Sequence, residues 1–133
     1  MERILFLTNE SRGAANAVTR LITDGGYEVV VKPTVKDWPD DHAAGPTALV
    51  VICQQPPLDY LKTCRLIREH STLPILVVRG RSDMVDMVVA LETGADDFVA
   101  EPYKGTALVA RIRALLRRHR LAKSELLWSR LLG

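Results

Sequence analysis

The chain has 133 residues, 47% of them apolar and 26% charged, which suits one domain with a buried core and argues against a disordered chain. No apolar run approaches the roughly 20 residues that span a bilayer, and MERILFLTNE has too short an apolar core for a signal peptide, so the sequence predicts a cytoplasmic protein without membrane contact. The net charge of +2 hides an asymmetry: residues 111–133 hold seven of the 18 Lys and Arg and one acid, Glu125, a balance of +6 that leaves −4 on residues 1–110.

In chain order, Ile4 to Leu7 reads as a short buried strand that opens into Thr8-Asn9-Glu10. Ala14, Ala17, Val18, Leu21 and Ile22 follow at helical spacing, stopped by Gly25-Gly26, and Tyr27 to Val31 forms a second strand. The connection from Lys32 to Pro46 is broken by Trp38-Pro39-Asp40-Asp41 and Gly45-Pro46, which predicts a short or irregular segment. A third strand, Leu49 to Ile52, runs into Cys53-Gln54 with no acidic residue before Asp59. Tyr60, Cys64 and Ile67 mark the next helix, and Ile75 to Val78 a strand that ends at Arg79-Gly80. Met84, Val85, Val88, Val89 and Leu91 mark a helix closed by Gly94, Asp97 to Val99 a fifth strand ending at Glu101-Pro102, and Leu108, Ile112, Leu115 and Leu116 a last helix. Residues 119–133, HRLAKSELLWSRLLG, either continue that helix or restart at Ser124 as an N-cap.

Alternating strands and helices predict a parallel sheet with right-handed crossovers and helices on both faces. Ligands in such sheets sit outside the carboxyl ends of the strands, so attention falls on Thr8-Asn9-Glu10, Ile52-Cys53-Gln54, Arg79-Gly80 and Glu101-Pro102. The two cysteines, Cys53 and Cys64, form no CxxC and the histidines are scattered, which points to reduced thiols rather than a disulfide or metal framework.

The segment LPILVVRGRSDMVDMVVALETGADDFVAEPYKGTALVARIRALLRR, residues 73–118, resembles the second half of a response-regulator receiver domain, nearest to the winged-helix (OmpR/PhoB-like) branch of two-component regulators. RILFLTNE, GYEVVV and LDYLKTCRLIREHSTLPI agree more loosely, so the resemblance covers about residues 2–120. It implies a flavodoxin-like (CheY-like) three-layer α/β sandwich with five parallel strands in the order 2-1-3-4-5, followed at 121–133 by a helical extension or linker to an effector domain absent from this chain.

Receivers of this family carry an acidic pair after the first strand for Mg²⁺, a phosphoryl-accepting aspartate after the third, Thr or Ser after the fourth and Lys after the fifth. Here the acidic pair falls on Thr8 and Asn9 or, one residue on, Asn9 and Glu10. The acceptor falls on Ile52 or Cys53, the Thr/Ser position on Arg79 and the Lys position on Glu101. The resemblance therefore predicts a degenerate phospho-acceptor pocket, no catalysis, and no metal or other cofactor, since the carboxylate nucleophile and divalent ion that phosphoryl transfer needs have no residues to supply them. Arg79 and Glu101 end neighbouring strands and are expected either to pair over the pocket or to remain two solvated charges. Cys53 is either a nucleophilic thiol or a small buried hydrophobe; Cys64 is expected to pack. Trp38 and Trp128 are candidate interface anchors, and Tyr103 is expected to pack at the start of the last helix.

In the resembled branch two receivers pair through the fourth helix, fifth strand and fifth helix. Matched residue by residue, Glu92 and Arg113 form one opposite-charge pair, Asp97 and Arg111 another, Leu91 the apolar centre, and Met87 and Ala107 replace a third charged pair with apolar side chains. The resemblance thus implies a regulatory domain that forms a homodimer, or binds a protein partner, without phosphorylation and meets DNA only through an effector domain of the full-length protein. An alternative is a small-molecule sensor using Ile52, Cys53, Gln54, Arg79 and Glu101; a third is a basic tail that touches nucleic acid.

Overall fold

The computed structural model describes residues 1–36, 46–80 and 84–132. Five parallel strands, β1 (Arg3–Thr8), β2 (Glu28–Lys32), β3 (Leu49–Cys53), β4 (Ile75–Arg79) and β5 (Asp97–Ala100), lie in the order β2-β1-β3-β4-β5. Between and after them run α1 (Arg12–Asp24), α2 (Tyr60–His70), α3 (Met84–Thr93) and α4 (Gly105–Leu132). The sheet order and layering are those expected from the sequence. The part of the second connection within the described residues, 33–36 and 46–48, contains no helix; the rest of it, Trp38 included, lies outside them.

The central strands are apolar on both sides because each face is covered by helices. On one face Ile4, Phe6, Val51, Leu76 and Val78 meet Val18 and Ile22 of α1 and Leu108, Ile112 and Leu115 of α4. On the other, Leu5, Leu7, Ile52 and Val77 meet Cys64 and Ile67 of α2 and Ala90 of α3. Consecutive strand residues alternate between these layers.

The helices start and stop where the local chemistry requires. The Ser11 side chain accepts from the Ala14 N–H at the start of α1, and Asp59 accepts from Leu61 and Lys62 at the start of α2. After α3, Gly94 has φ +136°, a conformation that side chains disfavour. Its carbonyl accepts from Arg68, which also donates to the carbonyls of Ser71 and Leu73 and to Asp96. One guanidinium therefore satisfies the turn after α2 and the turn before β5. Arg68→Ala is expected to cost about 2–3 kcal/mol in chemical denaturation, and Arg68→Lys to recover little of it, because an ammonium cannot reach all four acceptors at once.

Candidate functional site

The site forms where β1, β3, β4 and β5 release their chains at one edge of the sheet. β1 and β3 run level, with Leu7 beside Ile52 and Thr8 beside Cys53. Thr8 is buried and its Oγ1 accepts from the Glu10 N–H, which turns the chain out of β1. Asn9 bridges the gap between strands: its Nδ2 donates to the Gln55 carbonyl and its Oδ1 accepts from the Gln55 N–H, both at 2.8 Å. Glu10 then reaches across to β3, its Oε1 accepting from Cys53 Sγ at 3.2 Å and from Gln55 Nε2 at 3.4 Å.

Cys53 faces the α1/α4 layer and is 4% exposed. Burial first, then the hydrogen bond to Glu10 and the charges of Glu10 and Glu101, push its thiol up to about 12, against a smaller opposing pull from Arg79. Cys53 is thus a protonated donor held under a carboxylate. Tyr103 packs against the same layer, and burial, then Cys53, Glu101 and Glu10, raise its phenol. Ile52, fully buried in the opposite layer, does not face this site.

Arg79 and Glu101 do end neighbouring strands, joined by a backbone hydrogen bond from the Glu101 N–H to the Arg79 carbonyl. The ion pair weighed from the sequence does not form among the described residues. Arg79 Nη1 instead donates to the Gln54 carbonyl at 2.8 Å, and its guanidinium lies over the Tyr60 ring, 4.2 Å from the centroid. A stacked guanidinium with a carbonyl partner gains more than a solvated pair does. Glu101 remains exposed. Gln54 is buried but turned away from Cys53, donating to the Pro33 carbonyl and accepting from Thr63 Oγ1. It lines a cavity of about 510 Å³ with Thr34, Lys36, Asp59 and Lys62, in the layer of α2. The five residues proposed for a ligand pocket are therefore divided between two faces of the sheet.

The arrangement does not fit Mg²⁺. That ion takes six oxygens in octahedral geometry, typically with carboxylates as anchors. Here Thr8 and Asn9 are occupied in turning and bridging the backbone, and Glu10 already accepts from Cys53 and Gln55. Among the described residues no group of three His, Cys, Asp or Glu is placed to hold a metal.

The dimer-face residues fall into two sets. Leu91 and Glu92 lie exposed on α3 with Met84, Val85, Val88 and Val89, whereas Met87 is half-buried and packs against the core. Asp97 and Arg111 are joined within one chain, Arg111 Nη1 lying 3.0 Å from both carboxylate oxygens, and Ala107 is exposed one turn before Arg111. Arg113 lies apart from Arg111 within one chain. Two residues along a helix it points about 200° from Arg111, and its Nη2 donates to the Gly25 carbonyl at the end of α1, away from Glu92.

Sequence reasoning missed Tyr60, Gln55 and Arg68 as partners. Only the prolines after Gln55, which form the turn that the Leu58 N–H closes on the Gln55 carbonyl, gave a local signal.

Five parallel strands in this order, two helical layers and a polar mouth at the carboxyl ends define a flavodoxin-like receiver fold. The receiver domain of the TMAO respiratory-system response regulator TorR superposes with a TM-score of 0.77 and 30% identity, covering 89% of this chain and 98% of that one. MtrA, a DNA-binding response regulator of Mycolicibacterium smegmatis, is 39% identical over 131 residues, 96% of this chain and 56% of MtrA. The transcriptional regulatory protein CseB of Streptomyces coelicolor is 52% identical over 63 residues, 47% of this chain and 27% of CseB. The chain belongs to the response-regulator receiver-domain family. No protein-family model matches it, and it spans about half or less of the length of these curated relatives. No helix among the described residues is long and apolar enough to cross a membrane.

Proposed function

We propose that this chain is the regulatory receiver domain of a transcriptional response regulator of the winged-helix branch, that it signals without aspartyl phosphorylation, and that it is not an enzyme. The single observation that carries the reading is the Cys53–Glu10 contact. The end of β3 offers a protonated thiol that donates to a carboxylate, where phosphoryl transfer would need an unencumbered carboxylate and a divalent ion. Arg79, held by Gln54 and Tyr60, adds a fixed cation in place of a movable hydroxyl.

The output surface is the exposed apolar row of α3, with Val85, Val88 and Leu91, flanked by Met87, Ala107 and the closed Asp97–Arg111 pair. A pair already neutralised inside each chain can be covered by a second copy without stranding a charge. Residues 2–120 form the regulatory unit in this reading, and the far part of α4 leads toward a DNA-binding effector.

Light scattering over a concentration series tests the reading. The expected result is a dimer whose molar mass is unchanged by Mg²⁺ and beryllofluoride, and which Val88→Asp/Leu91→Asp weakens by at least about tenfold. A monomer that dimerises only with the phosphoryl mimic would overturn it.

A further inference from the structure

The last helix changes its apolar side part way along. Up to Leu116 its buried residues, Leu108, Ile112, Leu115 and Leu116, face the sheet. Continuing that row at about 100° per residue leads to His119, Lys123, Leu126 and Arg130, of which only Leu126 is apolar. A new apolar stripe opens instead about 140° around the helix, made of Leu121, Leu127, Trp128, Leu131 and Leu132, each more than half exposed. The helix is unbroken to Leu132, so the restart at Ser124 does not occur. The basic side chains of the same stretch, Arg117, Arg118, Arg120, Lys123 and Arg130, point all round the axis and make no one-sided face for nucleic acid.

The stripe repeats every seven residues. Ala107, Ala114, Leu121 and Trp128 fall in one row, and the row three residues on, Ala110, Arg117, Ser124 and Leu131, is apolar at its ends and polar at Arg117 and Ser124, a partial coiled-coil seam. Ala107 is also a member of the proposed docking face, so the seam continues that face along the same helix. The charges select both the occupant and its direction. Glu125 flanks the seam on one side, Arg120 on the other, and five residues separate them. In a parallel, in-register pair each Glu125 lies against Arg120 of the second copy. Within its own chain Glu125 has no ion-pair partner among the described residues, whereas Arg120 contacts Glu2 and keeps further donors.

We propose that residues 117–132 pair with the same segment of a second copy of this chain as a parallel two-stranded coiled coil, with Leu121 and Trp128 on its axis. The inference rests on the dimer reading above. Two heptads are too short to associate alone, so the tails meet because docking of the α3 face raises their effective concentration.

Cysteine cross-linking tests it in the 133-residue chain, whose own Cys53 and Cys64 are buried. Under mild oxidation Leu121→Cys is expected to form a disulfide-linked dimer at least about tenfold faster than Lys123→Cys, which lines a cleft of its own chain with Thr47. Equal rates at 121 and 123, in protein whose molar mass is that of a dimer, would overturn the coiled coil and leave the stripe to another partner. Failure of the docking reading is separate: Val88→Asp/Leu91→Asp would then leave the molar mass unchanged. A monomer at every concentration would overturn both.

Discussion

Replacing Cys53 with aspartate is expected to lower the unfolding free energy by about 2–3 kcal/mol at pH 7, although aspartate is the residue that a phosphorylated receiver carries after its third strand. The thiol lies 3.2 Å from Glu10 Oε1 and donates to it. A second carboxylate there removes the donor and sets two like charges against each other in a buried corner. Such a pair holds at least one carboxyl above its unfolded value of about 4. The sign of the pH dependence follows: below pH 4 both states are protonated and the penalty vanishes, and it grows as pH rises through that value toward the raised one. Urea midpoints at pH 7 and pH 4 measure the difference. A variant as stable as the parent at pH 7 would show that Glu10 swings clear of β3 in solution.

The second large effect is alkaline. Burial is the first cause for both thiols: Cys53 is pushed up from 9.0 to about 12 and Cys64 from 9.0 to about 11. Above pH 9 the unfolded chain releases two protons that the native chain keeps, so stability falls with rising pH. The slope is about 1.4 kcal/mol per pH unit for each thiol. By pH 10.5 the loss reaches about 4 kcal/mol, a large part of a typical domain's stability. It levels off first for Cys64, near pH 11, and then for Cys53. Denaturant titrations at pH 8 and pH 10.5 check this, with Cys53→Ala/Cys64→Ala expected to lose much less between the two. Iodoacetamide should label the native thiols at least about 100-fold more slowly than the unfolded chain at pH 8.

The five strands were legible because each is a run of β-branched and aliphatic residues between turn signals, and burial on both faces makes such runs continuous. What remained open was the difference between adjacent residues. Ile52 and Cys53 are one step apart in sequence and on opposite sides of the sheet, and counting inward from either end of a chain with loops of unequal length cannot decide between them. The β1–β3 register decides it, setting Thr8 beside Cys53. Arg79 was legible as a misfit but not as a partner of Tyr60, because that contact depends on where α2 begins relative to β4. Arg68 resembled any solvated helix arginine, since three of its four acceptors are backbone carbonyls, which every residue has. Arg113 was matched to the docking face from sequence alone, and its intrachain bond to the Gly25 carbonyl depends on how α4 lies against the end of α1, which the sequence does not show.

The paired hydrogen bonds between Asn9 and Gln55 have a consequence for how the mouth of the sheet answers its surroundings. Both partners are amides, with no proton to lose between pH 4 and pH 9 and no charge for salt to screen. This pair is therefore a neutral fastening between β1 and β3, indifferent to chelators, ionic strength and acidity, beside the charged Glu10 contacts.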